Sequence, residues 1–137
     1  AFAEDCSVTL TTDAAVGHVL AEGDVDRVVV GADSILPDGR VVNKTGTRTL
    51  AIVAAREGVP VDVVAASAKL RTDGERTLDS GTPSAVYDGE APIDVLNPTV
   101  DVTPADAISA VVTEHGVLDP EELAGLAAER ADHSEWS

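Results

Sequence analysis

Lys44 and Lys69 are the only lysines in a chain of 137 residues that carries twenty-five aspartates and glutamates. Each stands where a parallel-sheet protein holds an anionic ligand. Lys44 follows Asn43 at what reads as the start of a helix, and Lys69 follows a run of small residues at the end of a strand. Asn43 and Lys44 present amides and an ammonium that can converge on a phosphate, and Asp33, at the end of the preceding strand, supplies a carboxylate beside them. A proton-transfer site on a sugar phosphate needs this combination, because the base must be held against the carbon or hydroxyl it serves. Asp13 and the Ser67–Lys69 stretch fall at equivalent strand ends. The residues alone leave a plainer reading open for each. Asp33 also suits an Asx turn, Asn43 a helix N-cap, Lys44 and Lys69 solvated surface positions, and Asp101 a loop brace or a cap for a helix start.

Other chemistries find less support. His18, His115 and His133 share no metal-ligand spacing and read as structural or exposed, so no metal is expected. Neither a G-x-G-x-x-G run nor a Walker lysine loop occurs, so no dinucleotide or triphosphate cradle and no cofactor is expected. Cys6 is the single cysteine; it excludes an internal disulfide, fits a reducing cytoplasm, and reads as a small core residue beside the first strand.

The elements that must position these residues follow from hydrophobic pattern and punctuation. Ser7–Thr12 is rich in β-branched residues and reads as a strand, with Asp13 as N-cap of a helix over Ala14–Glu22 that Gly23 ends. Arg27–Ala32 is a second strand, apolar without alternation as if buried on both faces. After the Pro37-Asp38-Gly39 turn signal, Lys44–Glu57 reads as a helix with Leu50, Val53 and Ala54 on one face, stopped by Gly58 and Pro60. Val61–Ala66 is a third strand. Such a strand–helix series makes a parallel sheet with right-handed crossovers, which places the chain in the α/β class.

Residues 70–92 read as an irregular excursion carrying at most a short strand near Val86. Thr103-Pro104-Ala105-Asp106 resembles a capped helix start, although the Val111-Val112-Thr113 run favours a strand over Ala110–Thr113. Asp119 caps a final helix reaching about Arg130.

Composition bounds the partners. One domain suits this length, and 44% hydrophobic residues suffice for one core, built from Val, Ala, Leu and Ile because Phe2, Tyr87 and Trp136 are the only aromatics. The formal charge of −16 repels phosphate backbones and anionic lipid, which argues against direct nucleic-acid or membrane binding. The acids are scattered along the chain, as on a solvated surface adapted to high salt, and arginine supplies seven of the nine cations.

Gly31-Ala32-Asp33, Asp38-Gly39, Asn43-Lys44-Thr45-Gly46-Thr47, Ala66-Ser67-Ala68-Lys69, Asn97-Pro98-Thr99-Val100-Asp101-Val102-Thr103-Pro104 and Val112-Thr113-Glu114-His115-Gly116 occur in order. Together they closely resemble the C-terminal domain shared by the alpha, beta and delta subunits of eukaryotic initiation factor 2B, methylthioribose-1-phosphate isomerase and archaeal ribose-1,5-bisphosphate isomerase. The resemblance implies a Rossmann-like three-layer domain with a mainly parallel sheet, the C-terminal half of a larger family fold. It implies binding of a phosphorylated sugar or nucleotide, and pairing into a homodimer or higher homo-oligomer. Asp33 matches the isomerases' catalytic acid/base, Asn43 and Lys44 match a substrate-binding pair, and Lys69 matches a substrate-binding lysine, although Ala-Ser-Ala-Lys departs from the family's Glu-Ser-Tyr-Lys-like segment. The isomerases' catalytic cysteine and their phosphate-binding glycine and arginine belong to segments upstream of those matched, and Cys6 does not match that cysteine. The chain is therefore expected to be a C-terminal piece, lacking an N-terminal helical domain and inactive alone. The expectation is a domain of a ribose-1,5-bisphosphate isomerase-type aldose–ketose isomerase. The alternative is a non-catalytic initiation factor 2B-like subunit domain that assembles with initiation factor 2 or with paralogues.

Overall fold

The computed structural model describes residues 6–73 and 81–135. Its elements in chain order are α1 (Val16–Ala21), β1 (Val28–Val30), β2 (Ser34–Ile35), β3 (Val41–Lys44), α2 (Thr47–Arg56), β4 (Val61–Val64), β5 (Val100–Thr103), β6 (Ala110–Thr113), β7 (Gly116–Leu118) and α3 (Pro120–Glu135). The fold is α/β. β1, β4 and β6 lie side by side and parallel, and β7 closes that sheet as an antiparallel edge after a tight turn at Gly116. β2, β3 and β5 form a second, antiparallel ribbon.

The apolar run of β4 lies inside the sheet as its sequence suggests, whereas β1 is an edge strand whose Val29 is 62% exposed, so the expected burial of Arg27–Ala32 on both faces is not found. Val61 and Val63 are wholly buried, and full burial of such a side chain contributes roughly 1.5–3 kcal/mol. One core cluster joins Val28 and Val61 to the helical layer through Leu20, Ala51 and Ala54, with Leu50 and Val53 packed against it. A second gathers Ile35, Val41, Val63 and Val111 under Leu123 and Ala127 of α3. Asp62 interrupts the apolar run of β4; it is buried, and the Arg27 guanidinium donates to its carboxylate. Among the described residues no helix is long and apolar enough to cross a membrane.

Several expectations need correction. Ser7–Thr12 forms no strand: the segment is exposed, Leu10 to 95%, and no ladder pairs it. β propensity without a neighbouring strand to pair with does not make a strand. Asp13 is not an N-cap but lies in a short 3-10 turn, Asp13–Ala15, that leads into α1, and Thr12 before it makes no side-chain cap bond. Cys6 is exposed and no part of the core. Asn43 and Lys44 do not begin a helix: they end β3, and α2 starts at Thr47 behind Gly46, whose φ of 110° suits glycine. No strand lies near Val86, where Pro83–Ala85 forms a 3-10 turn, and residues 74–80 of the excursion lie outside the described residues. Thr103-Pro104 leads into a short 3-10 turn, Ala105–Ala107, followed by the strand that the valine run favours. Asp119 does cap α3, accepting the Glu122 amide at 2.8 Å.

Candidate functional site

Between the end of β1, the Thr11–Asp13 segment and the β3–α2 junction lies an open cleft of about 630 Å³. Thr11, Thr12 and Asp13 line one side of it, Asn43 to Thr47 the other, with Val16, Val30 and Leu50 as apolar lining. The cleft sits beyond the carboxyl end of a parallel strand, where α/β folds place ligands. Its one cationic side chain is Lys44, set among threonine hydroxyls, a combination suited to an anionic, hydroxyl-bearing ligand.

The Asn43–Thr47 segment is held from behind. Thr45 donates its amide to the Thr99 carbonyl at 3.0 Å and its hydroxyl to the Pro98 carbonyl at 2.7 Å. The Asn43 side-chain amide donates to the Thr47 hydroxyl at 3.1 Å, which in turn donates to the Lys44 carbonyl at 2.8 Å. Asp101, opposite Asn43 on the β3–β5 ladder, accepts the Gly46 amide at 2.9 Å and the Arg48 amide at 3.2 Å. Asp101 thus caps α2, a helix more than fifty residues away in sequence and not the helix start expected at Thr103–Asp106. A carboxylate already satisfies those two amides, so an anion in the cleft relies on Lys44 and hydroxyls more than on the helix end.

The other two candidate residues lie close by along the backbone. The Asp33 amide donates to the Val42 carbonyl at 2.9 Å, beside Asn43. Leu70, next to Lys69, bridges Ile35, and the Arg71 amide donates to the Ile35 carbonyl at 2.8 Å. β2 therefore runs between β3 and the Lys69 turn, and the structure brings the Asp33, Asn43–Lys44 and Lys69 segments into one neighbourhood. Asn43 and Lys44 line the cleft; Asp33 and Lys69 are exposed and are not among its lining residues. Neither lysine is in an ion pair among the described residues, whereas Arg27, Arg40 and Arg71 each pair with an aspartate.

The role of Arg130 escapes sequence reasoning, and Ser67 and Glu114 enter it only as members of strand-end and family motifs. Ser67, 7% exposed, gives its amide to both oxygens of Glu114 at 2.8 and 3.1 Å, and Arg130 of α3 donates to its carbonyl at 2.6 Å and its hydroxyl at 2.8 Å. Hydrogen bonds from the Ser67 hydroxyl and then its amide hold the Glu114 carboxyl below its ordinary value. Arg130 lies sixty-three residues from its partner, and only coordinates reveal such a pairing. Among the described residues no three His, Cys, Asp or Glu side chains are grouped to hold a metal ion.

Known proteins resemble this arrangement over most of its length. Ribose 1,5-bisphosphate isomerase of Haloterrigena turkmenica is 39% identical, over 91% of this chain and 43% of that protein. Methylthioribose-1-phosphate isomerase of Pseudomonas putida is 38% identical, over 90% of this chain and 37% of that one. Among solved structures, the translation initiation factor eIF-2B subunit delta from A. fulgidus superposes with a TM-score of 0.81 at 32% identity, over 93% of this chain and 41% of that one. 5-Methylthioribose 1-phosphate isomerase from Pyrococcus horikoshii superposes at 0.80 with 28% identity, over 93% and 38% respectively. The chain thus spans about two fifths of the length of these relatives. The model of the initiation factor 2 subunit family matches residues 2–120, and with relatives this similar along nearly its whole length the chain belongs to that family.

Proposed function

We propose that this chain is the sugar-phosphate-binding domain of an aldose–ketose isomerase of the ribose-1,5-bisphosphate type. The observation that carries the reading is the cleft itself: Lys44 faces a threonine-lined space while the Asp33 backbone is hydrogen-bonded one residue from Asn43. Lys44 and Asn43 hold the anionic oxygens, Lys69 adds a second cation at the rim, and Asp33 carries the proton between neighbouring carbons during aldose-to-ketose conversion. Turnover belongs to the whole protein, since the relatives with this activity are more than twice as long. Their names supply the substrate class: both are isomerases of phosphorylated pentoses.

Binding is tested by thermal unfolding at fixed high salt with ribose 1,5-bisphosphate, methylthioribose 1-phosphate and AMP. A ligand of the native state raises the melting temperature by mass action, by about 2.7 kcal/mol of stability at a hundredfold excess over Kd. Lys44→Ala is expected to remove the shift and leave the unliganded melting temperature within experimental error, because the residue is exposed. An undiminished shift in that variant removes Lys44 from the site. The likeness to an eIF-2B delta subunit supports a second reading, a non-catalytic subunit domain that assembles with initiation factor 2 or paralogues. An isomerase assay of the whole protein separates the two: aldose–ketose conversion excludes the second, and its absence with ligand binding retained excludes the first.

A further inference from the structure

Lys69 ends a three-residue 3-10 turn, Ser67–Lys69, that follows β4. Such a turn defines a lysine poorly unless something outside it fixes the backbone. Here the turn is gripped at its first residue. Glu114, just beyond β6, takes the Ser67 amide with both carboxylate oxygens. Arg130, from α3, takes the Ser67 carbonyl with one guanidinium nitrogen and the hydroxyl with the other. The same carbonyl accepts the Leu70 amide at 3.0 Å, so the grip is continuous with the bond that closes the turn around Lys69. All four contacts are charge-assisted, at roughly twice the strength of neutral ones, and they converge on a residue buried from solvent.

We infer that Glu114 and Arg130 are positioning residues for Lys69, a clamp that sets the lysine's place at the rim of the cleft without touching the ligand. The inference rests on the proposed reading of Lys69 as a ligand contact. Arg130 lies beyond residues 2–120, which the family model matches. Its guanidinium is spent on Ser67 and has no carboxylate partner among the described residues, unlike those of Arg27, Arg40 and Arg71.

The chain's two lysines make the test direct, since acetylation by an amine-reactive ester, read by mass spectrometry, reports on Lys44 and Lys69 separately. In the unmodified sequence, saturating ribose 1,5-bisphosphate is expected to slow acetylation of both at least tenfold. In Arg130→Ala, protection of Lys69 is expected to vanish while protection of Lys44 persists, which a general loss of structure does not produce. Equal protection of both lysines in Arg130→Ala overturns the clamp and leaves the binding reading intact; no protection of either in the unmodified chain overturns the binding reading. The clamp is then still judged without ligand: amide exchange of Lys69 and Leu70 is expected to accelerate at least tenfold in Arg130→Ala while that of Ala54 in α2 is unchanged. Unaltered exchange at Lys69 and Leu70 sinks the inference. Where Arg130→Ala does not fold, Glu114→Gln, which weakens the opposite jaw, is read in the same two ways.

Discussion

At the scale of single residues, the informative contrast is between acids that are satisfied and cations that are not. Asp101 accepts two backbone amides and Glu114 takes one with both its oxygens, whereas Lys44 and Lys69 are exposed and outside any ion pair among the described residues. Glu114 gives this a pH signature. Bonds from the Ser67 hydroxyl, then the Ser67 amide, and to a lesser degree the charge of His115 hold its folded-state pKa below the ordinary 4.5. A carboxyl with a lowered folded pKa adds stability that is fully present above its unfolded value and is lost as pH falls through the folded one. Glu114→Gln is therefore expected to be less stable than the parent near neutrality, with the gap closing below pH 4.5 as the parent's own carboxyl protonates. Urea midpoints of the two proteins across that range measure it. A gap that stays constant with pH would show that the amide–carboxylate contact contributes through shape and not through charge.

At the scale of elements, the β3–α2 junction decides whether the site exists. α2 lacks a side-chain cap of its own, because Gly46 occupies the position and turns the chain at positive φ. Asp101 supplies the cap from β5, fifty-five residues from Gly46 in sequence. Asp101→Ala is expected to cost about 1–2 kcal/mol, the upper part of the range for lost helix caps, read as a fall in denaturant midpoint with an unchanged slope. Asp106→Ala, at an exposed position on the neighbouring 3-10 turn, is the control and stays within roughly 0.5 kcal/mol. β4 was legible in the sequence because a run buried on both faces shows no alternation, whereas the similar run of β1 lies at the sheet edge with Val29 exposed. The ribbon of β2, β3 and β5 was not legible: its strands are short, Asn43 and Lys44 are polar, and the following Gly46 mimics a helix boundary, so the eye joins them to α2. Ser7–Thr12 failed for the converse reason, since a β-branched run states a preference that only a partner strand fulfils. Of the candidate site, the residue types and their order could be read from the sequence. The clamp on Ser67 could not, because its three residues come from three separate elements.

At the scale of the whole molecule, electrostatics is dominated by repulsion. The formal charge is −16, and the described ion pairs between arginine and aspartate are three, Arg27–Asp62, Arg40–Asp38 and Arg71–Asp73. Compaction brings unpaired carboxylates together and is opposed by their mutual field. Added salt weakens that field and the few attractive pairs alike. With repulsive pairs far in the majority, the net effect of screening is stabilising. The Debye length falls from about 10 Å at 0.1 M to about 3 Å at 1 M, so most of the gain is expected within that interval and little beyond it. The melting temperature in potassium chloride should accordingly rise steeply up to about 1 M and then flatten. Chloride is the right anion for this measurement, because sulfate also strengthens apolar burial by exclusion from the surface and would keep raising the curve for a different reason. A curve that climbs linearly through several molar chloride would point to ion binding or preferential hydration in place of screening. A flat curve would mean that the carboxylates are already far enough apart in the folded chain for their repulsion not to matter.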